Sequence, residues 1–180
     1  IIFDLSIFML FLFFTHYQIM EMNDKIRIGV IGSGHLGTIH AKLWSQHNNA
    51  VLAGIYDVDI DKAKTTAANF NCNFYTSLNE LLEQSDAVTI ATPTMNHHEV
   101  ANICIENKVH CLIEKPITET YDQAQKIISL ANKNNIVIQV GHVERFNPAL
   151  ESLKKYNLAP LFIEAHRLAQ FKPRATDVSV

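Results

Sequence analysis

Ile26-Arg27-Ile28-Gly29-Val30-Ile31-Gly32-Ser33-Gly34-His35-Leu36-Gly37 is the stretch on which the reading of this chain turns. Its first six residues are a β-rich run. The next six put glycine at 32, 34 and 37, ahead of a segment of helical character through Ala41-Lys42-Leu43-Trp44. A strand that meets a glycine turn and opens a helix is the first step of a βαβ unit. The same alternation continues outward from it. Strands are predicted at 26–31, 51–56, 73–75, 87–91, 110–114 and 136–140, and helices at 61–70, 78–83, 98–107 and 121–133. Six strands joined by helical crossovers predict an α/β fold, a Rossmann-type doubly wound parallel sheet.

After Gly141 the pattern changes. A helix is predicted over 148–156 and a strand over 161–168, where polar and apolar residues alternate as on a half-buried sheet. A lone strand cannot bury its own face. Residues 143–180 are therefore expected to be the truncated start of an α+β second domain, with 171–180 ending in mid-fold, and residues 22–142 to form the first domain.

Length and composition agree with that division. A chain of 180 residues holds one full domain and part of another. With 48% hydrophobic and 18% charged residues it reads as globular, and a net charge of -3 provides no basic patch for nucleic acid or anionic lipid. A small soluble ligand is the expected partner. Cys72, Cys104 and Cys111 are odd in number and lack metal-ligand spacing, so they read as buried thiols of a reducing, cytoplasmic compartment. His97 and His98 are adjacent and cannot share a helix face, so no metal site is expected.

The apolar run Ile7-Phe8-Met9-Leu10-Phe11-Leu12-Phe13-Phe14 has no basic segment before it and no small-residue cleavage site after it. It is also short of the roughly 17 to 25 apolar residues that span a bilayer. Residues 1–21 are read as an extension outside the fold, upstream of Met22; a membrane anchor is the alternative.

The glycine loop carries the first chemistry. Gly32 permits the tight turn, Gly34 lets backbone approach a pyrophosphate and Gly37 lets helix and strand pack closely, so that Ser33, His35 and Leu36 lie in a phosphate cradle. Asp57 follows Gly37 by twenty residues, at the end of the second strand. There a carboxylate accepts hydrogen bonds from both ribose hydroxyls and repels a 2′-phosphate, which favours NAD over NADP. Otherwise Asp57 is a turn residue that ends the strand.

Beyond the loop, Ala91-Thr92-Pro93-Thr94 with Asn96 and His97, Glu114-Lys115-Pro116, and Gly141-His142-Val143-Glu144-Arg145-Phe146 complete a pattern. Together these motifs resemble the glucose-fructose oxidoreductase, inositol dehydrogenase and rhizopine catabolism family (Gfo/Idh/MocA), over about residues 25–180. The resemblance implies that Lys115 lies beside the nicotinamide and the reacting carbinol as catalytic acid or base, a role that partial desolvation near a positive ring favours. It also implies that Thr92, Pro93, Thr94, Asn96 and His97 line the cofactor, with Glu114 at the strand end. Arg145 would lie at the border of cofactor and substrate, and a cis peptide would precede Pro116. The other readings are a solvated Lys115 and an Arg145 that anchors the segment by a salt bridge.

In the family a second-domain helix supplies an aspartate and a histidine, and that domain builds homo-oligomers through an open sheet. The chain reaches Val180 before any such helix, and His166 and Arg167 belong to the predicted strand before it. The expected whole is an NAD-dependent dehydrogenase acting on a sugar, polyol or nucleotide sugar, with the amino-sugar nucleotides the nearest match. Rival expectations are an NAD-binding module without turnover and a reductase of another carbonyl or imine.

Overall fold

The computed structural model describes residues 25–157, 159–164, 166 and 168. The apolar extension 1–21, Arg167 and the segment 171–180 lie outside the described residues.

Six strands form one sheet: β1 (Ile26–Ile31), β2 (Ala50–Tyr56), β3 (Asn73–Tyr75), β4 (Ala87–Ile90), β5 (His110–Ile113) and β6 (Ile138–Val140). Their spatial order is β3-β2-β1-β4-β5-β6 and every pairing is parallel. Parallel neighbours need crossovers, supplied here by α1 (His35–Ser45), α2 (Ile60–Asn69), α3 (Leu78–Glu83), α4 (Thr94–Glu106) and α5 (Tyr121–Asn134). The expected doubly wound α/β sheet is therefore present. Chain order reverses between β1 and β4, and ligands of such sheets bind outside the strand ends at that point.

Both faces are covered, which is why the central strands read as near-continuous apolar runs. Ile28 and Val30 of β1, Leu52 and Ile55 of β2, and Leu112 of β5 pack with Ala41 and Trp44 of α1 and Ala63 and Ala67 of α2. On the other face Ile31, Val88, Ile90, Cys111 and Ile113 meet Leu81, Ala101, Cys104, Ile105, Ile127 and Ala131 of α3, α4 and α5. Inside the first layer the Trp44 Nε1–H donates to Thr89 Oγ1 at 2.9 Å, so the one polar atom of that ring is satisfied. The helices α2, α3 and α5 start on side-chain caps: Asp59, Ser77 and Thr120 each accept an amide of the first turn.

Several boundaries differ from expectation. α4 begins at Thr94, four residues before the predicted 98, because Pro93 at its N-cap has a fixed φ of -56° and no N–H to satisfy. β6 begins at Ile138 because α5 ends through Asn135 in the left-handed region (φ 56°), and the Ile136 amide turns back to Ala131 O. The predicted helix over 148–156 divides into α6 (Pro148–Glu151) and a 3-10 turn over Ser152–Lys155, preceded by another over Val143–Phe146.

The strand predicted over 161–168 is not formed among the described residues of that stretch. Residues 161–164 are neither strand nor helix, and Leu161 is fully exposed. Alternation describes a half-buried strand only where a neighbouring strand takes its N–H and C=O groups, and β6 pairs with β5 alone. Cys104 and Cys111 are the buried thiols expected, whereas Cys72 is only half-buried, since it lies on the turn between α2 and β3.

Candidate functional site

The carboxyl ends of β1, β2, β4 and β5 carry the candidate residues. β1 ends in Gly32, whose φ of +92° is closed to residues with a side chain and whose amide donates to Tyr56 O at 2.8 Å. At Gly37, in the first turn of α1, a Cβ would sit 1.8 Å from Gly32 O, so the helix can rest on the loop only through a hydrogen atom. Gly34 differs: a Cβ there would meet nothing within 4 Å. It is the N-cap of α1, which has no side-chain cap and no acidic residue in its first turn. The first amides of a helix have no partner within it and carry the positive end of its dipole. The result is an open backbone surface at the positive end of the helix dipole, of the kind that can take an anion.

Asp57 lies beside this surface. Its Oδ2 accepts the Ser33 N–H at 2.7 Å and the Ser33 Oγ–H at 2.8 Å, and its Oδ1 accepts the Asp59 N–H at 2.8 Å. Loop and carboxylate are thus fixed to each other.

β4 runs into Thr92, Pro93 and the start of α4. Thr94, Asn96 and His97 fall in the first turn of that helix rather than on a loop. His97 is 1% exposed. Its Nδ1 pairs with Pro116 O at 2.9 Å and its Nε2 with Thr92 O at 3.0 Å, so the imidazole joins the loop after β4 to the loop after β5. Thr92 Oγ1, by contrast, is buried and has no hydrogen-bond partner among the described residues. An orphaned hydroxyl of this kind at a ligand edge is a donor in waiting.

After β5 come Glu114 and Lys115. The Lys115–Pro116 peptide is cis, as the resemblance implies, and Lys115 is exposed. Glu114 is buried, and its Oε1 accepts the His40 Nε2–H at 2.8 Å while Oε2 accepts the Lys115 N–H at 3.2 Å. Burial pushes the Glu114 pKa up, but the His40 hydrogen bond and charge, with the Lys115 amide and charge, outweigh it and hold the carboxyl below its ordinary value. A Cβ on Gly141 would touch this carboxylate at 3.3 Å, so the chain after β6 passes close against it.

The sheet edge therefore gathers the glycine loop, Asp57, Thr92, Thr94, Asn96, His97, Glu114 and Lys115. Arg145 is exposed on the 3-10 turn over Val143–Phe146. Sequence reasoning missed His40, which stands on the same buried helix face as Gly37, Ala41 and Trp44. That spacing flags a buried histidine, although not its partner 74 residues away. Among the described residues no group of three or more His, Cys, Asp or Glu side chains is placed to hold a metal ion. No described helix is long and apolar enough to cross a membrane.

A six-stranded parallel sheet of this order, with an open glycine turn at the switch point and a carboxylate just after β2, defines a dinucleotide-binding fold. The family model described as "Oxidoreductase family, NAD-binding Rossmann fold" matches residues 26–142, and the chain belongs to that family, Gfo/Idh/MocA. It is 41% identical over 156 residues to a UDP-N-acetylglucosamine 3-dehydrogenase of Acidithiobacillus ferrooxidans, covering 86% of this chain and 49% of that protein. A myo-inositol 2-dehydrogenase of Thermotoga maritima is 31% identical over 133 residues, covering 72% and 40%. The solved structure of the Acidithiobacillus dehydrogenase superposes with a TM-score of 0.70 at 39% identity, over 73% of this chain and 43% of that one. The chain thus spans about half the length of the curated relatives it matches.

Proposed function

We propose that the full-length protein is an NAD-dependent dehydrogenase that oxidises a ring hydroxyl of a nucleotide sugar, most specifically an amino-sugar nucleotide, to a ketone. The observation that carries this reading is the placement of exposed Lys115 on the same sheet edge as the open cradle at Gly34. The narrowing to amino-sugar nucleotides is supported by the 41% identity to a UDP-N-acetylglucosamine 3-dehydrogenase.

The residues present fit the cofactor. Gly32, Ser33, Gly34, His35, Leu36 and Gly37 would hold the pyrophosphate against the first turn of α1, Asp57 would take the ribose hydroxyls, and Thr92, Pro93, Thr94 and Asn96 would line the nicotinamide side. Bound there, NAD supplies the hydride acceptor. Lys115 exchanges the proton of the reacting hydroxyl through its amine. Glu114 and His97 act on Lys115 through the backbone, the first accepting its N–H and the second fixing the Pro116 carbonyl. Arg145 would face the substrate side.

Residues 22–142 are then the cofactor domain and 143–180 the start of a substrate and oligomerisation domain. Exposed Leu150, Leu153, Tyr156, Leu161, Phe162 and Ile163 support that division, since they are apolar surface suited to a further layer. A cytoplasmic homo-oligomer is the corresponding whole, in keeping with three free thiols.

The test is turnover of the full-length protein with UDP-N-acetylglucosamine and NAD, followed by reduced-nicotinamide absorbance, beside calorimetric NAD binding. Lys115→Ala should abolish turnover and leave NAD affinity within about twofold. Oxidation of free polyols with nucleotide sugars ignored would overturn the substrate assignment. Unchanged turnover in the variant would overturn the role of Lys115.

A further inference from the structure

Asp57 is already occupied by the chain itself. An ionised carboxylate offers about four acceptor positions, two on each oxygen. The Ser33 N–H and Oγ–H fill both positions on Oδ2, and the Asp59 N–H fills one on Oδ1. Among the described residues no further donor reaches it, so a single position remains, whereas a ribose diol that delivers both hydroxyl protons to this carboxylate needs two.

The three resident donors are not equivalent. Two are backbone amides whose directions are set by the turn after β1 and by the start of α2, and neither moves without the loop. The third is a hydroxyl that turns by rotation about one side-chain bond. Ser33 is 7% exposed, so its hydroxyl is screened from water and its bond to the charged carboxylate is of the strong, charge-assisted kind.

We propose that the Ser33 hydroxyl is a competitor built into the cradle. It holds the second ribose-accepting position of Asp57 and has to release it before the diol binds, which makes Ser33 a residue that sets NAD affinity and selectivity. The inference rests on the reading of Asp57 as the ribose acceptor. Clearing the position favours a free 2′-hydroxyl and offers nothing to a 2′-phosphate, which this carboxylate repels. Removing the hydroxyl therefore raises NAD affinity and the preference over NADP together. It also leaves the Ser33 amide, and with it the loop geometry, in place.

The experiment is calorimetric titration of the full-length protein with NAD and with NADP, comparing wild type with Ser33→Ala and, as a second removal of the same hydroxyl, Ser33→Gly. The expected result is NAD binding about tenfold tighter, as release of one charge-assisted bond predicts, with no gain for NADP. A Ser33→Ala protein with native melting behaviour that binds NAD no tighter overturns the proposal; should that variant fail to fold, Ser33→Gly decides by the same criterion. Equal gains for NAD and NADP also overturn it, since the effect would not run through the 2′-hydroxyl. Absence of NAD binding by the folded wild type is a different result, which sinks the reading of the cradle and this inference with it.

Discussion

Gly34→Ala and Gly37→Ala make the same chemical change three residues apart, and the structure assigns them opposite consequences. At Gly34 the new methyl meets nothing within 4 Å, and the backbone (φ -68°, ψ -166°) is extended and open to alanine. Folding should be unharmed, and loss of glycine's freedom in the unfolded chain should add about 0.4–1 kcal/mol of stability. On the proposed placement of the cofactor a pyrophosphate would approach the amides through that space, so the methyl should weaken NAD binding by about a hundredfold or more, roughly 3 kcal/mol. At Gly37 the methyl would sit 1.8 Å from Gly32 O and 2.7 Å from the carbon that bears it. Neither atom is a side-chain end that can swing aside, so α1 has to lift by about 1.5 Å to restore an ordinary contact. Overpacking of this severity costs at least the upper end of the usual range, about 3 kcal/mol. Urea denaturation and calorimetric NAD titration of both variants separate the two effects. Undiminished NAD affinity in Gly34→Ala would refute the placement of the cofactor, and native stability in Gly37→Ala would refute the close approach.

The buried Glu114–His40 pair should appear in the pH dependence of stability. A carboxyl held below its ordinary pKa in the folded state contributes stability at pH values above the unfolded value, and that contribution is lost as pH falls through the folded one. Glu114→Gln should therefore flatten the acid limb of a stability–pH profile while costing about 1–3 kcal/mol near neutrality, and an unchanged acid limb would contradict it. Burial pushes the Cys72 thiol up to about 11, so despite its partial exposure it should react with iodoacetamide far more slowly than a free thiol at neutral pH. Mass spectrometry of the alkylated protein reads this directly, and rapid modification of Cys72 in the folded state would oppose it.

Legibility in the sequence followed the range of the physics. Strand β1, the glycine turn and the helix that follows are local, and they could be read from residues 26–45 alone because strand propensity, turn chemistry and helix opening agree there. The parallel pairing was equally accessible, since strands that alternate with helices need crossover connections, whereas the spatial order of the strands comes from the structure. The start of α4 was misplaced because Pro93 was read only as a cofactor-lining residue after the fourth strand, although the same residue suits the start of a helix. The strand over 161–168 was misread for a different reason: alternation records an environment that a second strand must supply. His40 escaped because its partner is Glu114, and no spacing rule links a histidine on α1 to a carboxylate three crossovers later. The filled acceptor positions of Asp57 escaped as well, since sequence places Ser33 and Asp57 at neighbouring strand ends without showing that they bind each other.

The long-range contacts share one consequence. Lys115 is exposed, yet the backbone around it is held from both sides, through its own N–H by Glu114 and through the Pro116 carbonyl by His97. Glu114 is anchored in turn to α1 by His40, and His97 stands in the first turn of α4. α1 is also the helix whose N-terminus forms the cradle. The cradle and the lysine are therefore parts of one braced unit, tied by a 2.8 Å bond between buried side chains rather than by a flexible loop. Catalytic groups need such rigid support to keep a long, mobile amine within reach of a reacting hydroxyl. This explains why a histidine and a carboxylate are buried together beneath the edge that carries Lys115: a carboxylate left there without the imidazole would be an uncompensated charge, and Lys115 would lose the acceptor that fixes its peptide.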